Sequence, residues 1–219
     1  MSQVIIGYTT EGTTDVRFLE SILQRTFELV GFECRSSVEV LPLIHIPKQG
    51  GAFVEQVLQR CIEANDQGIM IFCVHIDADA TNDNHVFETR INPLLNALRQ
   101  HLNEEICNNI VPVIPVQMTE AWMLADIGLL KAEIGTDIRN VDLGLHRAPE
   151  SIANPKNTIE EAIRIARQTL VSRRRRELTI GELYQPIGQK IGLEKLELLP
   201  SYQKFKQSIR LAYQAMNYL

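Results

Sequence analysis

The sequence predicts an α/β fold: a mostly parallel four-stranded sheet with helices on both faces and a helical appendage at the C-terminus. Through the first two thirds of the chain, short apolar runs alternate with segments of helical periodicity, which is typical of βαβ crossovers. Residues 69–76 (IMIFCVHI) form the most apolar run, and its continuity indicates a strand buried on both faces. With 219 residues, 45% of them hydrophobic, the chain can bury a substantial core.

The predicted elements follow one another along the chain. Four strands are predicted, at residues 3–9, 38–46, 69–76 and 110–117. Four helices alternate with them, at residues 14–30, 52–65, 93–104 and 119–127, and Thr14 is the expected N-cap of the first. After an irregular stretch over residues 128–155, three more helices are predicted at residues 157–171, 179–191 and 201–217. We therefore expect a core over residues 1–130 and a helical extension over residues 131–219 packed on it.

Asp77 and Asp79 come directly after the most apolar run, so a buried strand delivers two carboxylates to one point. Two ionised carboxylates that close together raise each other's proton affinity, and a hard divalent ion such as Mg²⁺ or Mn²⁺ relieves their repulsion. In the alternative interpretation, the two aspartates only cap the loop after the strand. His75 lies on the same strand face as Asp77, and we expect a hydrogen-bonded core histidine rather than a metal ligand there.

Glu11 is a second acid at a strand end, because it follows the apolar residues 4–6 and precedes Gly12 and the first helix. Asp15 falls in the first turn of that helix, where a carboxylate also suits the helix dipole. Glu120 opens the helix after the fourth strand, behind Thr119 as the expected N-cap. Because the carboxyl ends of parallel strands meet at one edge of a sheet, we expect these acids near Asp77.

Charge is distributed unevenly along the chain. Residues 1–150 hold 10 Lys and Arg against 21 Asp and Glu, whereas residues 151–219 hold 12 against 6, so the balances are −11 and +6. The basic part includes four consecutive arginines, Arg173, Arg174, Arg175 and Arg176, which indicate either a nucleic-acid contact or a solvated helix end. Lys48, in the loop Pro47–Gly51, indicates either an anion site before a helix or a plain turn. Lys156 also precedes a helix and is either a phosphate contact or a solvated lysine.

Two broad classes are disfavoured by the sequence. No apolar segment is long enough to span a bilayer, and the N-terminus lacks a signal-peptide pattern, so we expect a cytoplasmic protein without a membrane partner. The four cysteines have no CxxC spacing, which predicts reduced, mostly buried thiols and no zinc site. Trp122 is expected in the core rather than on a base-stacking surface.

Glu11-Gly12 at one strand end, followed by Asp77-Ala78-Asp79 at a later one, resembles the TOPRIM fold, a Rossmann-like arrangement. Residues 11–19 (EGTTDVRFL) are most similar to its OLD-like (overcoming lysogenisation defect) nuclease branch, in which an acid four residues after the glutamate also binds metal. Residues 116–126 and 192–205 resemble segments of small, stand-alone TOPRIM-like proteins often encoded beside an ATPase. The resemblance covers nearly the whole chain, through short motifs.

The resemblance implies Mg²⁺-dependent cleavage of phosphodiester bonds in nucleic acid, with DNA expected ahead of RNA, in a defence or repair role. Asp77 and Asp79 would bind metal, and Glu11 would be a ligand or a general acid or base. Asp15 and Glu120 would complete a second metal position, and Lys156 would stabilise the transition state. The chain lacks the ATPase half of full-length OLD nucleases, so a partner ATPase is expected, and a homodimer is left open.

Two other functions remain open from the sequence. The first is a TOPRIM-like subunit that binds nucleic acid or an ATPase without cutting. The second is a phosphatase, because residues 77–81 (DADAT) match the DxDxT string of haloacid-dehalogenase-like enzymes, in which the first aspartate is the nucleophile. That family places the string on its first core strand and needs a late acidic pair. Here two βα units precede the string, and no aspartate follows Asp142.

Overall fold

The computed structural model describes residues 2–101, 105–168 and 178–219. Each of the four predicted strands is present, and the first two are each divided into two short pieces. The strands are β1 Ser2–Val4, β2 Ile6–Thr9, β3 Val38–Val40, β4 Ile44–His45, β5 Ile71–His75 and β6 Ile110–Val113. Pro42 lies between β3 and β4, where the absence of a proline N–H suits a break in the strand.

The strands pair in parallel throughout the described part of the chain. β4, β2, β5 and β6 form a four-stranded sheet in that order, and β1 pairs with β3 in a two-stranded one. The predicted fold class, an α/β fold with a mostly parallel sheet between helices, is therefore confirmed. Because all pairs are parallel, β2 and β5 end at the same edge of the sheet, with Thr9 opposite Val74. We call this edge the carboxyl rim.

Helices account for most of the remaining chain. The α-helices are α1 Thr13–Gly31, α2 Phe53–Asp66, α3 Asn84–Val86, α4 Asn92–Gln100, α5 Thr119–Met123, α6 Ile127–Ile134, α7 Pro155–Gln168, α8 Tyr184–Lys190, α9 Leu193–Leu196 and α10 Pro200–Ala215. A π-helical turn, Phe87–Ile91, joins α3 to α4. Short 3₁₀ turns lie at Pro149–Ser151 and Ile180–Glu182.

The sheet separates two hydrophobic clusters. Ile71 and Cys73 of β5 point to the cluster formed with α1, α5 and the C-terminal helices, whereas Phe72 and Val74 point to the cluster with α2 and α4. This alternation, with both faces buried, explains why the β5 sequence is a continuous apolar run. Trp122 is completely buried in the first cluster, and its Nε1 donates to Ser201 Oγ at 2.7 Å, which confirms its expected place in the core.

The C-terminal helices pack closely on the first helix of the core. A Cβ atom on Gly188 of α8 would lie 2.3 Å from the carbonyl oxygen of Phe18 in α1, so only glycine permits this approach. Arg25 of α1 also donates to the backbone oxygens of Ile191 and Gly188, at 2.7 and 2.8 Å. The predicted division at residue 130 stays a prediction, and helix α6 (Ile127–Ile134) runs across it.

Two predicted helix starts are wrong, and both corrections concern residues near the carboxyl rim. The first helix is capped by Gly12 rather than Thr14, because Asp15 accepts a hydrogen bond from the Gly12 N–H at 2.9 Å. The N-cap of α5 is Met118, so Thr119 is already the first helical residue. The single helix predicted over residues 119–127 is in fact two, with Asp126 as the N-cap of α6.

Two further predictions concern the cysteines and membrane-spanning helices. All four cysteines are free thiols, and Cys61, Cys73 and Cys107 are buried. Among the described residues, no helix is both long and apolar enough to cross a membrane.

Candidate functional site

Glu11 and Asp77 meet at the carboxyl rim. Glu11 follows β2, and Asp77 follows the neighbouring strand β5. The backbone N–H of Asp77 donates to Glu11 Oε2 at 3.3 Å, so the two predicted ligands are direct neighbours. The pairing of β2 with β5 brings them together from positions 66 residues apart in the chain.

Asp77 is held in place by the start of α5. Its Oδ1 accepts hydrogen bonds from the backbone N–H of Thr119 at 2.8 Å and from the Thr119 hydroxyl at 3.1 Å. The Thr119 hydroxyl therefore serves Asp77 rather than capping its own helix. The carboxylate is oriented by a backbone donor of a buried helix, which leaves it little rotational freedom.

His75 lies beneath the carboxylates. It is 3% exposed, and its Nε2 lies 3.3 Å from Asp77 Oδ1 and 3.0 Å from the Thr119 hydroxyl. Its Nδ1 is 3.9 Å from Asp15 Oδ2 and has no hydrogen-bond partner. Burial lowers the pKa of His75, but the hydrogen bond to Asp77 and the nearby carboxylate charges outweigh it, so the pKa is raised. The expectation of a buried, hydrogen-bonded histidine is confirmed.

Asp15 and Glu120 are the buried members of the acidic group. They are 8% and 4% exposed, and burial raises the pKa of both carboxyl groups. The charge of Asp77 raises both values further, which places the two side chains in its electrostatic field. The Tyr184 hydroxyl of α8 donates to Glu120 Oε1, so the C-terminal part of the chain supplies a residue to the rim. Neither the sequence pattern nor the resemblance indicated Tyr184.

Asp79 is exposed and sits in an unusual backbone conformation. Its φ is 49°, in the left-handed region that few residues other than glycine adopt, and Gln117 opposite has φ 64°. Two backbone hydrogen bonds join the loop after β5 to the loop after β6. Asp79 N–H donates to Gln117 O at 2.8 Å, and Gln117 N–H donates to Ala80 O at 3.0 Å. Burial and the charges of Asp77 and Glu11 raise the pKa of Asp79. Strained residues of this kind concentrate at functional sites.

Arg90 is a site residue that sequence reasoning missed. Its Nη1 donates to Glu11 Oε1 at 2.8 Å, and its guanidinium carbon lies 5.7 Å from the ring centroid of Phe53. Arg90 belongs to the π-helical turn Phe87–Ile91, a rare feature that is often found at functional sites. Helical periodicity gives no sign of a π turn, so the sequence offered no signal for this contact.

All five carboxylates offer the oxygen atoms that a hard divalent ion prefers; they belong to Glu11, Asp15, Asp77, Asp79 and Glu120. Burial and neighbouring negative charge raise the pKa of Asp15, Asp79 and Glu120, and a bound cation would relieve that repulsion. The unpartnered His75 Nδ1 lies within the same group. As the side chains stand, residues 2–101, 105–168 and 178–219 contain no cluster of three His, Cys, Asp or Glu side chains arranged to hold a metal ion. Glu11 is instead paired with Arg90.

The basic residues predicted from the sequence lie in different places. Lys156 is exposed at the second position of α7, and in the described part of the chain it makes no ion pair with the five carboxylates. Lys48 is exposed and lines a small cavity, of about 30 Å³, that Glu11 and His75 also line. Arg173, Arg174, Arg175 and Arg176 lie outside the residues that the structure describes.

Comparison with known proteins yields one relationship. No curated protein and no solved structure matches the chain. A family model described as "Domain of unknown function (DUF4276)" matches residues 10–210, a span that includes all five carboxylates of the carboxyl rim. Since this match covers nearly the whole length, the chain belongs to the DUF4276 family.

Proposed function

We propose that this protein is a Mg²⁺- or Mn²⁺-dependent nuclease of the TOPRIM kind, with DNA as its expected substrate. One observation carries the proposal: Glu11 and Asp77 from paired parallel strands are in contact, and the charge of Asp77 raises the pKa of Asp15, Asp79 and Glu120 alike. Acids that raise one another's proton affinity at one edge of a sheet form a site suited to a divalent cation.

The residues divide into three roles in this proposal. Asp77 and Asp79 would hold the metal ion, with Asp15 and Glu120 at a second position and Glu11 as a ligand or proton carrier. A bound ion would polarise the phosphodiester and lower the pKa of a water molecule. Thr119 and His75 orient Asp77 through its Oδ1. Lys156 would contact the phosphate from its exposed position on α7.

A partner ATPase is part of the proposal on the strength of the resemblance alone. A second candidate function, a TOPRIM-like binding subunit that does not cut, is favoured by the pairing of Glu11 with Arg90. In such a protein the arginine would permanently neutralise the acid that a nuclease needs.

The phosphatase alternative requires Asp77 to act as a nucleophile, yet its Oδ1 already accepts two hydrogen bonds from Thr119.

Plasmid nicking by the purified chain tests the proposal. We expect relaxation of supercoiled DNA with Mg²⁺ or Mn²⁺, none with EDTA, and a loss of at least about a hundredfold in Asp77→Asn. Asp66→Asn, an exposed acid at the end of α2, is the matched control and should cut as the wild type does. Parallel reactions with RNA, and with a chromogenic phosphate ester, separate the substrate classes. Equal nicking by wild type and Asp77→Asn would refute the proposed site.

A further inference from the structure

We infer that the cavity beside Glu11, bounded by Thr9, Lys48, Phe53 and Arg60, is a binding subsite for the terminal phosphate of a nucleic-acid strand. We call it the Lys48 cavity; its volume is about 30 Å³. Phe53, Val57 and Arg60 of α2 line it, so it lies on the α2 side of the sheet. The inference rests on the proposed function only for the source of the phosphate, because the features that bind an anion are independent of metal chemistry.

Thr9 supplies the first of these features. It is 3% exposed, yet its hydroxyl has no hydrogen-bond partner. Thr9 is opposite Val74 in the β2–β5 register, and both residues line the cavity, so the hydroxyl is on the cavity face of the sheet. A buried hydroxyl without a partner is costly and uncommon, which indicates that a ligand supplies the missing hydrogen bond.

Arg60 supplies the second feature that favours an anion in the Lys48 cavity. Arg60 is only 3% exposed. Its guanidinium donates to Pro47 O at 3.2 Å and to Gln56 Oε1 at 3.3 Å. Both acceptors are neutral, and among the described residues no carboxylate forms an ion pair with Arg60. The charge of Glu63 acts on Arg60 without a direct ion pair, so the buried guanidinium still favours an anion in the space next to it.

The loop before α2 adds further positive potential. α2 is 14 residues long, and its N-cap Ala52 provides no side-chain acceptor for the first-turn N–H groups. Those groups and the helix dipole therefore favour an anion at this end. Gly51 has φ 127°, which allows the loop to turn sharply into the helix, and Lys48 is exposed at the mouth of the cavity.

The charge balance favours a terminal phosphate over an internal one. Lys48 and Arg60 line the cavity, and the one carboxylate that lines it, Glu11, is already paired with Arg90. Among the described residues neither Lys48 nor Arg60 forms an ion pair, so two cations are available for a terminal phosphate, whose charge is about −1.5 to −2 at pH 7. An internal phosphodiester carries a single negative charge. A strand held by its terminal phosphate here would place its adjacent bonds next to Glu11.

Binding of labelled oligonucleotides by fluorescence anisotropy, in EDTA, tests the inference without any cleavage. We expect a 5′- or 3′-phosphorylated strand to bind more tightly than the same strand with hydroxyl ends. Thr9→Val, which removes the hydroxyl but keeps the shape, should weaken binding of the phosphorylated strand about tenfold, and Thr9→Ser should retain it. Lys48→Ala should weaken it about two- to fivefold, and Lys195→Ala, an exposed lysine elsewhere, should not.

Other outcomes would overturn the assignment. Equal affinity for phosphorylated and hydroxyl ends, or an unchanged preference in both Thr9→Val and Lys48→Ala, would exclude the Lys48 cavity as the phosphate site. If inorganic phosphate or a mononucleotide competes but no oligonucleotide binds, the cavity holds free phosphate and the nucleic-acid source is wrong. Because these measurements contain no metal and follow no cleavage, their outcome does not depend on whether the nuclease proposal succeeds or fails.

Discussion

The backbone N–H of Asp77 donates a hydrogen bond to the carboxylate of Glu11, at 3.3 Å, across two neighbouring parallel strands. This contact exists because β2 and β5 pair directly, with Ile6 opposite Ile71 at one end and Thr9 opposite Val74 at the other. Each strand is therefore followed by an acid at the same edge of the sheet.

Arg90 competes with any cation for Glu11. Removing the arginine side chain in Arg90→Met should raise the affinity for Mn²⁺ by up to about fivefold, because a partly exposed ion pair contributes about 1 kcal/mol or less. Arg90→Lys retains the charge and should change the affinity less. Titration of free Mn²⁺ by electron paramagnetic resonance measures the effect. A lower Mn²⁺ affinity in Arg90→Met would show that Arg90 does not block the ion.

The buried acid Glu120 should lower the stability of the metal-free protein. Burial raises its pKa above the ordinary 4.5, so the folded state favours the protonated form. Its favourable contribution to stability is complete below about pH 4.5 and is lost as pH rises through the folded-state pKa. Glu120→Gln should therefore increase the free energy of unfolding at pH 7 by about 1 kcal/mol.

Urea unfolding at two pH values checks this prediction. The gain in Glu120→Gln should vanish near pH 4, where the wild-type carboxyl is protonated in both states. The exposed Glu160→Gln is the matched control and should leave stability unchanged at both values. A loss of stability at pH 7 in Glu120→Gln would contradict the account, because it would mean that the charged form is favoured by its surroundings.

The ion pair of Glu33 with Arg210 ties the end of α1 to α10. Arg210 Nε and Nη2 donate to the two carboxylate oxygens of Glu33 at 2.7 and 2.8 Å, and this bonding lowers the Glu33 pKa. A lowered pKa stabilises the fold above the ordinary value of 4.5, and that contribution is lost as pH falls through the folded-state pKa.

A double-mutant cycle with Glu33→Gln and Arg210→Gln measures the coupling between the two side chains. We expect about 0.5 kcal/mol at pH 7, because the Glu33 side chain is more than a third exposed, and none near pH 2. A coupling that persists at the acidic pH would assign the interaction to packing rather than to charge.

The contact between α8 and α1 should tolerate no side chain at Gly188. Gly188→Ala places a Cβ against the Phe18 backbone, and we expect a loss of about 1–3 kcal/mol in the free energy of unfolding. Gly128→Ala, also within a helix, meets nothing closer than 3.4 Å and should be neutral or slightly stabilising. Thermal unfolding of both variants compares them. If the two substitutions have the same effect, the close approach of α8 to α1 is incorrect.

Local patterns predicted the main features of the fold. The apolar run before Asp77 became the central strand β5, and the spacing of apolar residues from Val16 to Val30 became the buried face of α1. These features depend on residues adjacent in the chain, which periodicity captures. The same logic brought Glu11 and Asp77 to one edge, because parallel strands with helical crossovers allow no other arrangement of their carboxyl ends.

The contacts that complete the site depend on distant residues and left no local pattern. Arg90 reaches Glu11 from a π turn, and Tyr184 reaches Glu120 from a helix 64 positions later in the chain. Asp83, 2% exposed, is paired with Lys204 at 2.7 Å across 121 positions. The caps failed for a related reason: Thr119 has the side chain of a good N-cap, but tertiary contact with Asp77 uses its hydroxyl instead.

A crystal soaked in Mn²⁺ shows whether the acids of the carboxyl rim bind a divalent ion, because the anomalous signal locates the ion independently of any activity. We expect a peak within about 2.0–2.6 Å of carboxylate oxygens of Glu11, Asp77 and Asp79, with Arg90 no longer bonded to Glu11. A fully soaked crystal in which the Arg90–Glu11 pair is intact and no ion lies at the carboxyl rim would contradict this expectation.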